Sequence, residues 1–324
     1  MKLPRRQFLH LAVAVVALPA LSRMARGQTY PARSVRIIVP AAPGGTNHIL
    51  ARLMGQWLSQ RLGQQFVIEN RPGGGSNIGT EAAVNANPDG YTLLLVANAS
   101  AVNATLYNKL NFNFIRDIAP VAGIARVPNV MELHPWIPAK TVPEFIAYAK
   151  ANPGKIKYGS AGTGSLLHVA GELFKMMAGI DMIHVPYRGS AAALSDLLGG
   201  HVQMMCDNIP TSIEHIRAGR LTALAVTTAT RSELLPELPT VGDFLPGFEA
   251  ASFFGVGVPR HTPNEIIDKL NKEINAGLAD PKMKARLSEL GPVLSGSPAD
   301  FGKLIVEETE KWGKVVKLAN IKPD

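Results

Sequence analysis

The polar residues best placed to do chemistry in this sequence are uncharged and sit beside glycine. Thr46 and Asn47 follow Pro43-Gly44-Gly45, and Ser76 and Asn77 follow Gly73-Gly74-Gly75. Ser160, Ala161, Thr163, Gly164 and Ser165 surround Gly162. Asn98 and Ser100, and later Asp207 and Asn208, close apolar runs. Hydroxyls, amides and glycine N–H groups donate hydrogen bonds. Where a strand turns into a helix they also meet the positive end of the helix dipole, which suits reversible capture of a carboxylate. Each helix end contributes about 0.3–1 kcal/mol and each hydrogen bond to a charged group about 1.5–3 kcal/mol. A few such contacts, less the cost of association, reach micromolar affinity, about −8 kcal/mol. One such turn alone reads equally as a plain βα connection. Its recurrence favours a site.

Signatures of catalysis are missing. No G-x-x-x-x-G-K-[ST] occurs, no G-x-G-x-x-G follows a strand, and Gly159-Ser160-Ala161-Gly162 lacks the spacing of a nucleophile elbow. The eight histidines are scattered, without H-E-x-x-H or Cys/His pairs. No catalytic residue, metal or cofactor is expected. Three charged or titratable candidates keep two readings each. His168, one turn into a helix, approaches a ligand or packs. Asp207 takes a ligand hydroxyl or amine, or caps the next helix. Arg188, beside Gly189, pairs with a carboxylate or stands in solvent.

The elements that must position these residues follow from periodicity. Val35, Ile37, Ile38 and Val39 form a buried β-branched strand, stopped by Pro40 and Pro43. A helix then starts, capped by Thr46 or Asn47. Further strands are expected at 65–69, 91–97, 156–159, 182–185, 202–206 and 221–227. Helices are expected at 78–86, 141–151, 166–178 and 191–198. Residues 98–100 close the third strand with polar groups. The stretch 117–133, broken by Pro120, Gly123 and Pro128, has no helical period and reads as a crossover between domains; 235–258 reads as the return. Three helices follow, with Pro263, Pro281 and Pro298 at their starts. The expected architecture is α/β: a two-lobed clamshell with two hinge crossovers, lobe 1 comprising 28–125 plus 251–324 and lobe 2 comprising 126–250. Ligands of such folds lie where strand C-termini and helix N-termini face the cleft.

The chain has 324 residues, 46% hydrophobic and 18% charged, an ordinary globular composition of about two domains. Residues 1–27 read as an export signal to be removed. Arg5-Arg6 precede an apolar run from Leu9 to Leu21, too short to span a bilayer, and Ala25-Arg26-Gly27 offers small residues for cleavage. Arg5-Arg6-Gln7-Phe8-Leu9 has the form of a twin-arginine signal, with Pro4 and His10 departing from the usual flanks; the general secretory route stays open. The destination is a bacterial periplasm. That segment holds five basic residues and no acidic ones, so the formal charge of +8 drops to +3, from 28 basic against 25 acidic residues. No basic run with interleaved aromatics follows, and nucleic acid is not expected as a partner. Cys206, the only cysteine, precludes an internal disulfide and reads as a buried thiol.

Six segments stand in a recognisable order: P-G-G-T-N-H-I-L-A-R, E-N-R-P-G-G-G-S-N-I-G-T, P-D-G-Y-T-L-L-L, Y-G-S-A-G-T-G-S-L-L-H, H-V-P-Y-R-G-S-A-A-A-L-S-D-L-L-G-G and L-P-T-V-G-D-F. With them the chain resembles, over essentially all of its length after residue 27, the Bug-type solute-binding proteins of tripartite tricarboxylate transporters. The resemblance implies a periplasmic binding protein of type II-like fold, a monomer, that delivers a small di-, tri- or aromatic carboxylate to membrane permease subunits. It also implies that the ligand carboxylate is held by the loops around Gly44-Gly45 and around Ser160–Thr163, partly through water. Two positions depart from the family pattern: His48 stands where an Asp is common, and Ala41 where a bulky aromatic often occurs. An imidazole at position 48 would not repel a second ligand carboxylate as an Asp would. A subunit sensing ligand for a membrane kinase, and a hydrolase or lyase using the same cleft, are the alternative roles.

Overall fold

The computed structural model describes residues 30–107 and 109–323; the expected export segment lies outside them. Strand β1 (Val35–Val39) lies between β2 (Phe66–Asn70) and β3 (Thr92–Ala97), parallel to both. It is covered on both faces, which explains its nearly unbroken β-branched run. Helix α1 (Thr46–Leu62) follows β1, and α2 (Asn77–Val84) follows β2 after a short 3-10 turn. The first sheet continues through β9 (Ala251–Pro259), antiparallel to β3, into β4 (Ile118–Leu133).

Strand β4 holds the two halves together. From Ile118 to Pro128 it pairs with β9; from Asn129 to Leu133 it pairs with β7 (Met204–Asn208), and β8 (Thr222–Val226) lies on its other side. The second sheet ends with β5 (Lys157–Ser160) and β6 (Ile183–Pro186). The prolines that interrupt the helical period sit where the ladder spares an N–H. Pro120 borders a register shift, and Pro128 stands at the change of partner.

Helices α5 (Val142–Ala151), α6 (Leu166–Ala178), α7 (Ser190–Leu198) and α8 (Ile209–Arg217) cover the second sheet. Helices α9 (Asn264–Ala279) and α10 (Pro281–Ser288) follow β9, and α9 packs on the first sheet. Two helices straddle both cores. On α3 (Asn98–Leu106), Ala101 packs with Ile38, Leu94 and Phe253, whereas Val102 and Leu106 join Met131, Tyr158 and Phe174. On α11 (Pro298–Leu318), Phe301 and Ile305 belong to the first cluster, and Trp312, Val315 and Val316 to the second.

Two local expectations need correction. Residues 98–100, expected to close the third strand with polar groups, are the first turn of α3, which follows β3 without a connecting residue. The cap of α1 is Gly45, in extended conformation, and Thr46 is already helical. A short α4 (Phe114–Asp117) leads into β4.

Candidate functional site

Six helix N-termini meet at one cavity. Its wall includes Gly45, Ser76, Ala97, Ser165, Gly189 and Asn208, which are the N-cap residues of α1, α2, α3, α6, α7 and α8. The first turns of these helices add Asn47, Asn98, Ala99, Leu166, Leu167 and Ser190. Ala41, Ala42, Ala161, Ser252 and Phe254 complete the wall. The cavity holds about 50 Å³, room for a few water molecules. None of the described residues on its wall carries a charged or titratable side chain.

The capping pattern divides along the same line. A helix start leaves four backbone N–H groups without an intrahelical partner, and a cap side chain normally takes one of them. Of the six N-termini at the cavity, only α6 has such a cap, from Ser165 to His168 N. Of the five others, four are capped: α4 by Asn113, α5 by Thr141, α10 by Asp280 and α11 by Ser297. No side chain caps the other five starts, and the dipoles of helices that begin at the cavity make it positive without any cation. Such an enclosure suits an anion.

The two lobes touch around this space. Ala42 N donates to Arg188 O at 3.2 Å across it. A β-carbon on Gly45 would stand 2.7 Å from Ser190 Oγ, and one on Gly75 would strike the carbonyl of Thr163. Gly75, at φ +59°, also has a backbone that favours glycine.

Among the residues singled out in sequence, Gly45, Asn47, Ser76, Asn98, Ala161 and Gly189 line the cavity. Pro43 and Gly44 are exposed beside it, and Thr46, Thr163 and Gly164 are buried in the same loops but off the wall. His48 turns aside: its Nδ1 meets Asn70 Oδ1 at 2.8 Å, and Asn70 Nδ2 donates to Ala41 O. Asn77 accepts from Asn103 Nδ2. Ser160 Oγ pairs with His184 Nε2 at 2.7 Å, behind the loop.

His168 packs. Its Nδ1 accepts from Gly164 N at 3.1 Å and its ring stacks on His184 with centroids 3.8 Å apart. Burial, reinforced by Lys175, pulls its pKa down to about 4. The Arg188 side chain is exposed, and only its backbone carbonyl meets the other lobe. Asp207 tethers the first turn of α8, accepting from Asn208 N, Thr211 Oγ1 and Ser212 Oγ. Burial pushes it up to about 6 against those hydrogen bonds. Glu132, which accepts from the same Ser212, is raised well above the carboxyl range by burial and by Asp207. Cys206 is buried, and burial raises its thiol.

Ser165 and Asn208 stand in the polar set visible in sequence. Ser190 follows a glycine and carries the same signal. Ser252 and Phe254 have no motif around them and reach the wall only because β9 returns between β3 and β4. Among the described residues no group of three His, Cys, Asp or Glu could hold a metal, and no helix is long and apolar enough to cross a membrane.

An α/β chain of two lobes, with a strand shared between them and a small enclosure at the join, has the fold of periplasmic binding proteins. It superposes on R. palustris Rpa4515 with adipate, with a TM-score of 0.88 and 40% identity, covering 91% of this chain and all of that one. For MatC from Rhodopseudomonas palustris with bound malate the TM-score is 0.84 at 30% identity, over 89% of this chain and all of that one. Residues 50–321 match the model of the tripartite tricarboxylate transporter family receptor. Protein BugT of Bordetella pertussis is 35% identical over 317 residues, 96% of this chain and 95% of that protein. The chain belongs to this family, whose members are solute-binding receptors and not enzymes.

Proposed function

We propose that this protein is exported to the bacterial periplasm and captures a small dicarboxylate between its lobes for delivery to the membrane permease of a tripartite transporter. One observation carries the reading. Six helix N-termini, five without a side-chain cap, face an enclosure that no charged side chain enters. Adipate and malate in the two similar proteins support the same ligand class. The basic and apolar pattern of residues 1–27 supports export, by the twin-arginine or the general secretory route.

The ligand contacts we assign are Gly45, Asn47, Ser76, Asn98, Ala161 and Gly189, together with Ser165, Ser190 and Asn208. Lobe 1 comprises 28–125 plus 251–324 and lobe 2 comprises 126–250, with the hinge where β4 changes partner. Because the lobes already touch around a space of about 50 Å³, they must part for a diacid to enter. The protein acts as a monomer. Calorimetric titration with straight-chain dicarboxylates from malate to adipate in size tests the reading. One-to-one binding at about micromolar Kd is expected, with the ligand recovered unchanged. Failure to bind any of them, or product exceeding protein, overturns it.

A further inference from the structure

Glu308 is 4% exposed and stands midway along α11, between the residues that anchor that helix to different cores. A carboxyl group this deep needs partners. Its Oε1 accepts from Arg126 at 3.1 Å. Its Oε2 accepts from Trp312 Nε1 at 2.8 Å and, at a longer 3.4 Å, from Asn98 Nδ2.

Trp312 lies one turn further along α11, and the other two partners lie on the strand shared by the two sheets and on the cavity wall. Arg126 lies on β4, two residues before Pro128, where that strand exchanges β9 for β7. Asn98 is on the cavity wall at the start of α3. Its Oδ1 accepts from Phe253 N at 2.8 Å and its Nδ2 also donates to Ala251 O at 3.3 Å. Those two residues flank Ser252 of the cavity wall. Glu249, exposed to the side, reaches both Arg126 and Lys311 at 3.5 Å.

We propose that Glu308 is a positioning residue for ligand binding. It fixes the amide of Asn98, and with it the N-terminus of α3 and the adjoining turn of β9, while Arg126 offsets its charge behind the wall. This rests on the cavity being the carboxylate site. Three donors converge on the two oxygens of Glu308. A glutamine there has only one, so its amide nitrogen must confront either Arg126 or the pair Trp312 and Asn98. A purely electrostatic role predicts the opposite sign, since removing a negative group behind the wall would tighten anion binding. The direction of the change therefore separates the two.

The test measures adipate Kd by calorimetry, release by stopped flow and ligand-free melting, for wild type, Glu308→Gln and the double variant Arg126→Gln/Glu308→Gln. Glu308→Gln is expected to raise Kd about tenfold, mostly through faster release. The double variant, whose two amides can pair, is expected to return to within about threefold of wild type. An unchanged or lower Kd in Glu308→Gln, whatever its melting temperature, overturns the proposal. If Glu308→Gln does not fold, Arg126→Gln decides. It leaves the carboxyl group of Glu308 without its counter-charge and should weaken adipate more than hexanoate, and equal effects on the two overturn the proposal. A wild-type protein that binds no diacid overturns the carboxylate reading and this inference with it.

Discussion

Gly45 and Ser190 meet across the cleft, so that a β-carbon on Gly45 would stand 2.7 Å from Ser190 Oγ. Each lies at the N-terminus of a helix that faces the cavity, one in each lobe. The backbone of Gly45, at φ −88° and ψ 175°, suits any residue. The need for glycine is therefore not local: it serves the approach of the two lobes. Gly45→Val should leave ligand-free melting near that of wild type and raise the diacid Kd at least about tenfold, because the branched side chain props the lobes apart. Parallel melting and titration check this. A large loss of stability with unchanged affinity would contradict it.

An enclosure lined by helix N-termini and no carboxylate should reject ammonium groups. Adipate is expected to bind at least about tenfold more tightly than 6-aminohexanoate, since the positive ends of the dipoles repel the amine. Competition titration reads the ratio. Equal affinity would mean that one end of the ligand lies outside the positive region.

His48 acts through Asn70. With Asn70 Nδ2 committed to Ala41 O, Asn70 Oδ1 faces His48 Nδ1, which must carry the proton. His48→Asp sets a carboxylate against that carbonyl oxygen and frees Ala41 on the cavity wall. Mono- and dicarboxylates should then weaken alike, by about threefold to tenfold. A selective loss of dicarboxylate binding would show that position 48 senses ligand charge directly.

Two buried groups give the second lobe opposing pH responses. His168 is lowered from 6.5 to about 4 by desolvation and Lys175, and Asp207 is raised from 3.8 to about 6 by desolvation. Between those limits the unfolded chain holds the proton of His168 and the folded chain does not, so stability falls as pH falls. The folded chain holds the proton of Asp207 and the unfolded chain does not, so stability falls as pH rises. Glu132, raised by burial and by the neighbouring Asp207, acts in the same direction as Asp207. Relative to wild type, Asp207→Asn should therefore melt higher at about pH 6 and lower at about pH 4, and His168→Phe the reverse. Melting curves for both variants across that range check the signs. Wild-type slopes in both would contradict burial as the source.

Most of the fold was legible because glycine and proline punctuate it. Residues 166–178 coincide with α6, and the β-branched run at 35–39 with β1. Helix α3 escaped because Asn98-Ala99-Ser100-Ala101 has no apolar stripe and no turn precedes it. For the same reason Ala97 and Ala99 carry no sequence signal as wall residues. Glycine turns led to Gly45, Ser76 and Gly189 because strand-to-helix turns are local structures. Ser252 and Phe254 depend on a strand returning from more than a hundred residues away, which periodicity does not register. His48 illustrates a further limit: which way a side chain leaves the first turn of a helix is decided by a partner in another strand, Asn70.

The central claim is that backbone donors at helix starts, and no cationic side chain, hold the ligand. A crystal structure of the protein with adipate tests it most directly. The expected result places carboxylate oxygens about 3 Å from N–H groups in the first turns of helices from both lobes, directly or through one water. A carboxylate seated on an arginine or lysine side chain, or outside the enclosure lined by Gly45, Asn98, Ser165 and Gly189, would contradict it.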